Sequence, residues 1–292
     1  MAAFNIEFYQ PQVINVQNVS FPDLLNRIAA MNAVERIRQG SDPAAILVLQ
    51  RDDREQQFLG EAARIRMDDL PGIIDTLSGE RHDINVRAQE GLSEEIHFLY
   101  DLNLNIIAVQ RKGHFRAAAL EKLISDISRT AVSFQAILRR DAWERFQRME
   151  LATKINFKLA RPDDIQGQPR PAVTRIFREI DEFNGVSAKI EITVGRQRHR
   201  SLSMAAIRRF VQDFIGMGES FQDLSITGAI REGEDDEAVL HRDTVDFLKD
   251  RLMVSSEVDR AARGRRLDGE GCRLALRRSI REQEDYLRRF RG

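Results

Sequence analysis

With 292 residues, 42% of them hydrophobic and 31% charged, the chain can form one large or two medium domains with a polar surface. No run approaches the about 18 apolar residues that a membrane span needs, and the first residues, MAAFNIEFYQPQ, lack the pattern of a secretory signal. One cysteine, Cys272, excludes an internal disulfide framework, and together these features predict a cytoplasmic protein.

The net charge of −1 hides an uneven distribution along the chain. Residues 1–90 hold 14 acidic and 9 basic side chains, whereas residues 260–292 hold 11 arginines and 5 acids. A local cationic field attracts phosphates whatever the total charge is. The basic end therefore predicts either an anionic partner or packing against the acidic part of the same chain.

Strands and two helices are predicted for the first half of the chain. FNIEFYQ alternates as a strand does, and Pro22 and Gly40 bracket a predicted helix over residues 21–40. AAILVLQ with QQFLGEAARIRM, and IHFLYD with NIIAVQRK, predict two hairpins, and FRAAALEKLISDISR has helical spacing. VSFQAILRR predicts a strand, and Asp141 is the predicted N-cap of the helical turn that follows.

Strands and helices alternate more regularly in the second half. Strands are predicted at ELATKINFKLA, SAKIEITV, FQDLSITGAI, EAVLHR and RLMVSSEVD, and helices at PAVTRIFREIDEFNG and SMAAIRRFVQDFIGMG. GEGCRLALRRSIREQEDYLRRF predicts one long final helix. Its apolar side chains that need a partner surface are Leu274, Leu276, Ile280 and Leu287.

This order of elements predicts an α+β fold of mixed sheets with flanking helices, in two domains. The predicted N-terminal domain spans residues 1–148 and packs with the final helix at residues 259–292. The predicted second domain spans residues 149–258.

Most motifs of catalysis are missing from the sequence. The five histidines are never paired at metal-ligand spacing, and one cysteine cannot form a zinc site, so no metal or other cofactor is predicted. Neither G-x-x-x-x-G-K-[ST] nor a G-x-G-x-x-G between strand and helix occurs, and G-x-S-x-G is absent. Cys272 and His97 are predicted to be packing residues.

One arrangement gives an enzymatic alternative. Asp101 ends one predicted strand, and Gln110 and Lys112 end the next, which resembles the metal-dependent nucleases of the PD-(D/E)xK type. In those enzymes acids hold Mg²⁺, and the lysine steadies the attacking hydroxide and the phosphate. Gln110 replaces the second acid, and Glu94 or Glu95 could supply the missing charge. Otherwise Asp101 makes a turn, and Lys112 is a solvated strand end.

Arginines cluster where predicted strands meet helices, and Arg139 and Arg140 follow one strand. A guanidinium group binds two phosphate oxygens at once, and helix N-termini attract anions. The clusters therefore predict sequence-independent, salt-sensitive DNA binding, with solubilising surface arginines as the alternative. No aromatic residues alternate with the basic runs, so a platform for stacking single-stranded bases is not predicted. The predicted phosphate ligands are Arg196, Arg198, Arg200, Arg208, Arg209, Arg111, Lys112, Arg116, Arg263, Arg265 and Arg266.

The order of segments resembles the lambda RexA-like phage-exclusion proteins over most of the chain. EEIHFLYDLNLNIIAVQRKGHFRAAALEKLI carries the likeness in the first half, and KIEITVGRQRHRSLSMAAIRRFVQDF, FQDLSITGAI, EAVLHRDTVDFLKDRLMV and the final helix carry it in the second. The Kiwa component KwaB is similar in plan. The resemblance implies a homodimeric anti-phage defence protein with non-specific DNA binding and a neighbour-encoded membrane or effector partner. A protein-interaction subunit without nucleic-acid binding is the remaining alternative.

Overall fold

The chain forms an α+β fold of open sheets with flanking helices, which confirms the predicted fold class. None of the helices in the described part of the chain is both long and apolar enough to cross a membrane. The computed structural model describes residues 1–14, 18–68, 70–113, 115–160, 182, 187–195, 200–215, 221–232, 239–247, 250–261 and 266–290.

Two compact units divide the chain. Unit 1 comprises Met1–Ile6, Asn15–Thr130 and Ser255–Gly292, and unit 2 comprises Glu7–Ile14 and Ala131–Val254. The elements in chain order are β1 (Ala2–Val13), α1 (Phe21–Ala30), β2 (Ile37–Arg38), β3 (Ala44–Asp52), β4 (Gln57–Arg66), β5 (Ile73–Ile74), β6 (Arg81–His82), β7 (Leu92–Asp101), β8 (Ile106–Arg111), α2 (Ala117–Ser128), β9 (Val132–Ala136), α3 (Arg140–Arg148), β10 (Met149–Ala160), β11 (Ser187–Thr193), α4 (Met204–Ile215), β12 (Phe221–Glu232), β13 (Val239–Asp246), β14 (Met253–Val258) and α5 (Gly269–Leu287).

The large sheet has the strand order β14-β1-β8-β7-β4-β3-β2, and β9 pairs with β1. Both predicted hairpins, β3–β4 and β7–β8, are present and antiparallel. The sheet packs closely against its helices: the ring of Phe21 in α1 meets that of Tyr100 edge-on at 5.0 Å. Gly60 in β4 makes room for the Phe98 ring, because a Cβ there would lie 2.0 Å from it.

Helix α1 is shorter than the sequence predicts. It begins after the N-cap Ser20 with proline in its first turn, as expected, but ends at Ala30 rather than near Gly40. The side-chain oxygen of Asn32 accepts the backbone N–H groups of Val34 and Glu35, both at 3.0 Å. This turn satisfies backbone donors that a longer helix would have used, and so it replaces the second half of the predicted helix.

Helix α5 packs on β7 and β8 in unit 1. Leu276, Ile280 and Leu287 are buried, as predicted, whereas Leu274 is 56% exposed. The prediction for Leu274 was wrong because it lies two residues before Leu276, about 200° around the helix from the buried face. Cys272 is four residues before Leu276 and shares that face, where it is fully buried.

Unit 2 is built on the sheet β11-β10-β12-β13, and α3 and α4 pack on it. Two differences from the sequence analysis arise here. Arg139 is the N-cap of α3, so Asp141 lies inside the helix rather than at its cap. The predicted helix PAVTRIFREIDEFNG lies outside the described residues except for Glu182, which is helical.

One apolar core joins the sheet of unit 2 to α3 and α4. Helix α3 contributes Phe146, and α4 contributes Ile207 and Val211, which are four residues apart and therefore share one helix face. The members of this core that are fully or almost fully buried include Ala142, Phe146, Met149, Ala152, Phe157, Val211, Leu224, Ile226, Val245 and Phe247.

Candidate functional site

Two aromatic side chains of α3, Trp143 and Phe146, pack together and form what we call the aromatic wall. The half-buried ring of Trp143 packs against Phe146 with ring centroids 5.8 Å apart. Phe146 is almost fully buried and meets Phe247 edge-on at 5.1 Å. Because Phe146 packs against Trp143 and is itself held by Phe247, Trp143 presents a supported aromatic surface beside α3.

Helix α4 brings basic side chains next to this wall. Burial of Ile207 and Val211 leaves Arg208 and Arg209 on its exposed faces. The Nη2 of Arg208 donates to the backbone oxygen of Gln147 at 3.1 Å, which joins α4 to the last turn of α3.

A half-open cavity of about 340 Å³ lies between these two helices. It is lined by Trp143, Phe146, Gln147 and Arg208. Its volume falls within the range of about 300–1,000 Å³ that is typical of small-ligand sites. An aromatic face, an amide and a guanidinium group therefore converge on a space that can hold a small molecule.

Three arginines on or just before α4 have no carboxylate partner among the residues that the structure describes. We call Arg200, which precedes α4, together with Arg208 and Arg209 the α4 arginines; all three are exposed. None of them forms an ion pair with the residues that the structure describes, and Arg208 donates only to a neutral carbonyl. Three guanidinium groups are thus available to an anionic ligand.

Other arginines of unit 2 serve the fold instead. Asp250, whose side chain is 12% exposed, accepts from Arg139 at 3.0 Å and from Arg145 at 3.3 Å. Arg145 also pairs with Asp243 at 3.1 Å. This network fixes the start and the middle of α3, and with it the position of Trp143. Arg140 forms a separate pair with Glu144 at 3.5 Å.

Replacing Asp250 by asparagine is expected to lower the free energy of unfolding of unit 2 by about 2 kcal/mol. Removing one partner of a buried ion pair costs about 3–5 kcal/mol, and the partial exposure of Arg139 and Arg145 reduces that loss. Urea unfolding followed by circular dichroism measures the change. Glu144→Gln, which breaks the exposed pair with Arg140, is the control and should cost less than about 0.5 kcal/mol; equal losses would contradict the role of Asp250.

The predicted phosphate ligands of unit 1 are partly compensated by acids and carbonyls. Arg266 pairs with the carboxylate of Glu95 at 3.1 Å, and the Nζ of Lys112 donates to the backbone oxygen of Glu95 at 3.3 Å. Arg116, the N-cap of α2, donates to the backbone oxygen of Gly113 at 3.2 Å. Arg111 is exposed at the end of β8. The residues Arg196, Arg198, Arg263 and Arg265 lie outside the described part of the chain.

The three residues of the nuclease alternative do not form one site. Asp101 pairs with Ile106 in the β7–β8 register, and Lys112 lies six residues further along the chain, about 20 Å away. The carboxylate of Asp101 accepts the N–H groups of Asn103 and Leu104, both at 3.0 Å, and so closes the turn between the strands. That contact pattern matches the structural role given above as the alternative for Asp101.

Gln110 has a structural contact, since its side-chain oxygen accepts the backbone N–H of His97 at 3.1 Å. Glu94 lies in β7 opposite Arg64 of β4. Among the residues with described positions, no group of three or more His, Cys, Asp or Glu side chains is arranged to hold a metal ion.

Three titratable groups of unit 1 are shielded from water: His97 of β7 and Cys272 of α5 are buried, and Glu61 of β4 is half-buried. Burial lowers the pKa of His97 to about 4, and burial together with the nearby charge of Glu95 raises the pKa of Glu61. Burial and then the charge of Asp268 raise the pKa of Cys272 to about 12. The Cys272 thiol is therefore protonated at neutral pH and is poorly suited to act as a nucleophile.

Sequence reasoning missed Trp143 and Gln147. Arg208 and Gln147 are 61 residues apart in the chain and meet only because α3 and α4 pack on the same sheet. The one available signal was that the chain contains a single tryptophan, placed in a short helix with a charged surface.

A family model described as "Family of unknown function (DUF6731)" matches residues 10–266. Comparison with curated proteins gives no match. The matched range includes α3, α4 and the cavity between them, so the candidate site lies within the part of the chain that defines the family.

Proposed function

Since the chain belongs to DUF6731, a family of unknown function, we propose from its surface chemistry that it binds DNA. The contacts run from the α4 arginines of unit 2 to backbone phosphates. Because phosphates are the same at every base pair, such binding is largely independent of sequence. It is also strongly dependent on salt, since each contact releases counterions from the DNA.

The observation that carries this proposal is that the α4 arginines, of which Arg208 lines the cavity, are exposed and form no ion pair within the described ranges of the chain. Arg208 is held in place by the neutral carbonyl of Gln147 at 3.1 Å and pairs with none of the carboxylates that the structure describes. A guanidinium group fixed in this way binds phosphate with little further loss of side-chain freedom. Arg200 and Arg209 extend the positive surface on either side of it in the sequence.

The basic residues of unit 1 support the proposal less well. Glu95 compensates Arg266 directly and lies against Lys112, so this group presents a smaller net charge to a phosphate. Any contribution of Arg111 and Arg116 to DNA binding is expected to be secondary to that of the α4 arginines.

In the cell, we place this activity in the cytoplasm, in defence against phage, with the protein acting as a sensor or adaptor. This part of the proposal rests on the resemblance in layout to the RexA-like proteins. A homodimer and a neighbour-encoded membrane or effector partner belong to the same proposal.

Two assays on the purified full chain test DNA binding. Fluorescence anisotropy with two labelled duplexes of unrelated sequence should give affinities that agree within about threefold, as phosphate contacts require. Plasmid incubated with the protein should be retained in a gel and remain intact, with or without Mg²⁺. Mg²⁺-dependent cleavage would favour the nuclease alternative, and absence of binding at low salt would overturn the proposal in favour of a protein-interaction subunit.

A further inference from the structure

The cavity between α3 and α4 is lined by aromatic and amide groups that contact with a phosphate does not require. Trp143 supplies an aromatic face that is backed by Phe146 at 5.8 Å. A planar base gains about 1–3 kcal/mol by stacking on such a ring, whatever its identity. DNA held only by its backbone would leave this face unused.

Polar groups for orienting a ligand lie around the same space. The Gln147 side chain carries both a donor and an acceptor, and within the described residues it makes no hydrogen bond. The indole N–H of Trp143 likewise has no acceptor in the ranges that the structure describes. Arg208 supplies the only positive charge among the four lining residues.

We propose that this cavity binds a single nucleotide, with its base stacked on Trp143 and its phosphate on Arg208. The inference rests on the proposed function through Arg208, which both ligands share. A nucleotide has three features that match the lining residues. Its base can stack on Trp143, the polar edge of the base can form hydrogen bonds with Gln147, and its phosphate can bind Arg208. The nucleotide can be a free mononucleotide or an unpaired nucleotide within a DNA strand.

The composition of the lining argues against a purely apolar ligand. One of the four lining side chains is charged and one is an amide, and burying either without a partner costs free energy. A phosphate without a base would leave the aromatic wall exposed to water. A nucleotide covers the aromatic face and supplies partners for both polar groups.

Trp143 is the only tryptophan of the chain, so its fluorescence reports directly on the cavity. We would titrate the full chain with adenosine monophosphate, adenosine, inorganic phosphate and a single-stranded oligonucleotide, exciting at the red edge of indole absorption. The monophosphate or the single strand should quench Trp143, adenosine should bind at least tenfold more weakly than the monophosphate, and phosphate alone should not quench.

Two variants make the test specific. Arg208→Ala should remove the preference for the monophosphate over adenosine, whereas Arg278→Ala, at an exposed position of α5 in unit 1, should leave it unchanged. Trp143→Leu keeps an apolar side chain but removes the ring, and calorimetry should show roughly tenfold weaker binding of the monophosphate. Circular dichroism checks that each variant is folded.

The outcomes separate this inference from the proposed function. Quenching by the mononucleotide alone assigns the cavity to a free nucleotide, and quenching by the single strand alone assigns it to an unpaired nucleotide in DNA; either result supports the inference. Duplex binding without quenching by either probe would overturn the inference and leave the proposed function intact. Quenching by the monophosphate without duplex binding would support the inference about the cavity and overturn the proposed DNA binding.

Discussion

Replacing Arg200, Arg208 and Arg209 together by alanine is expected to weaken duplex binding about 100-fold at physiological salt. Each charge-assisted contact with a phosphate contributes on the order of 1 kcal/mol, and three such contacts account for a loss of this size. All three side chains are exposed, so the variant should stay folded and lose at most about 1 kcal/mol of stability, for the hydrogen bond from Arg208 to Gln147. Fluorescence anisotropy with a labelled duplex measures the affinity.

A matched variant separates the effect of this site from the effect of removing three positive charges anywhere on the chain. Arg278, Arg281 and Arg288 are exposed residues of unit 1, and each pairs with a glutamate at 2.7, 3.0 and 2.6 Å, respectively. Replacing these three by alanine removes the same charge from the chain and should change the affinity less than about threefold. If both triple variants lost affinity equally, binding would follow net charge and the α4 arginines would have no special role.

Acid is expected to destabilise unit 1 through His97. Burial lowers the pKa of His97 to about 4 in the folded chain, whereas an unfolded histidine has a pKa near 6.5. Between these values the unfolded chain binds a proton that the folded chain does not, so the contribution of His97 to stability is complete above pH 6.5 and is lost as the pH falls toward 4. The free energy of unfolding should drop by about 2–3 kcal/mol from this group between pH 7 and pH 4.5.

Urea unfolding of His97→Gln at the two pH values isolates this effect. Between pH 7 and pH 4.5, the free energy of unfolding of the variant should fall by about 2–3 kcal/mol less than that of the wild type. His82→Gln is the matched control, because the His82 side chain is 59% exposed, and it should follow the wild-type curve. A wild-type loss that persists unchanged in His97→Gln would show that groups other than His97 control the acid response. The neighbouring Glu61 is not one of them, because a carboxylate whose pKa is raised in the folded chain gains stability as the pH falls.

Local sequence patterns predicted most elements of the fold because each strand or helix is specified largely by its own residues. The two hairpins and the final helix follow directly from apolar periodicity and turn residues. The errors came where one side chain decides between competing local structures. The side chain of Asn32 stabilises a turn just after α1, so the helix ends early. The N-cap of α3 is Arg139, although aspartate is a far more common N-cap residue and Asp141 was therefore predicted there.

The candidate site was only half predictable. The sequence placed Arg200 before a helix and Arg208 and Arg209 on it, and the structure has all three exposed at those positions. It could not show that Trp143 and Arg208 line the same cavity, or that Glu95 pairs with Arg266, because these residues are far apart in the chain. Asp101 and Lys112 are only eleven residues apart in the sequence, yet they lie at opposite ends of the β7–β8 hairpin. The sequence motif gave their spacing along the chain but not their distance in space.

The salt dependence of duplex binding tests most directly whether the α4 arginines contact phosphates. Each phosphate contact contributes about 0.9 to the slope of log K against log salt concentration. The slope for the Arg200, Arg208 and Arg209 variant should therefore be shallower than that of the wild type by about 3, and the slope for the Arg278, Arg281 and Arg288 variant should be unchanged. A slope that stays the same when the α4 arginines are removed would contradict the proposed function.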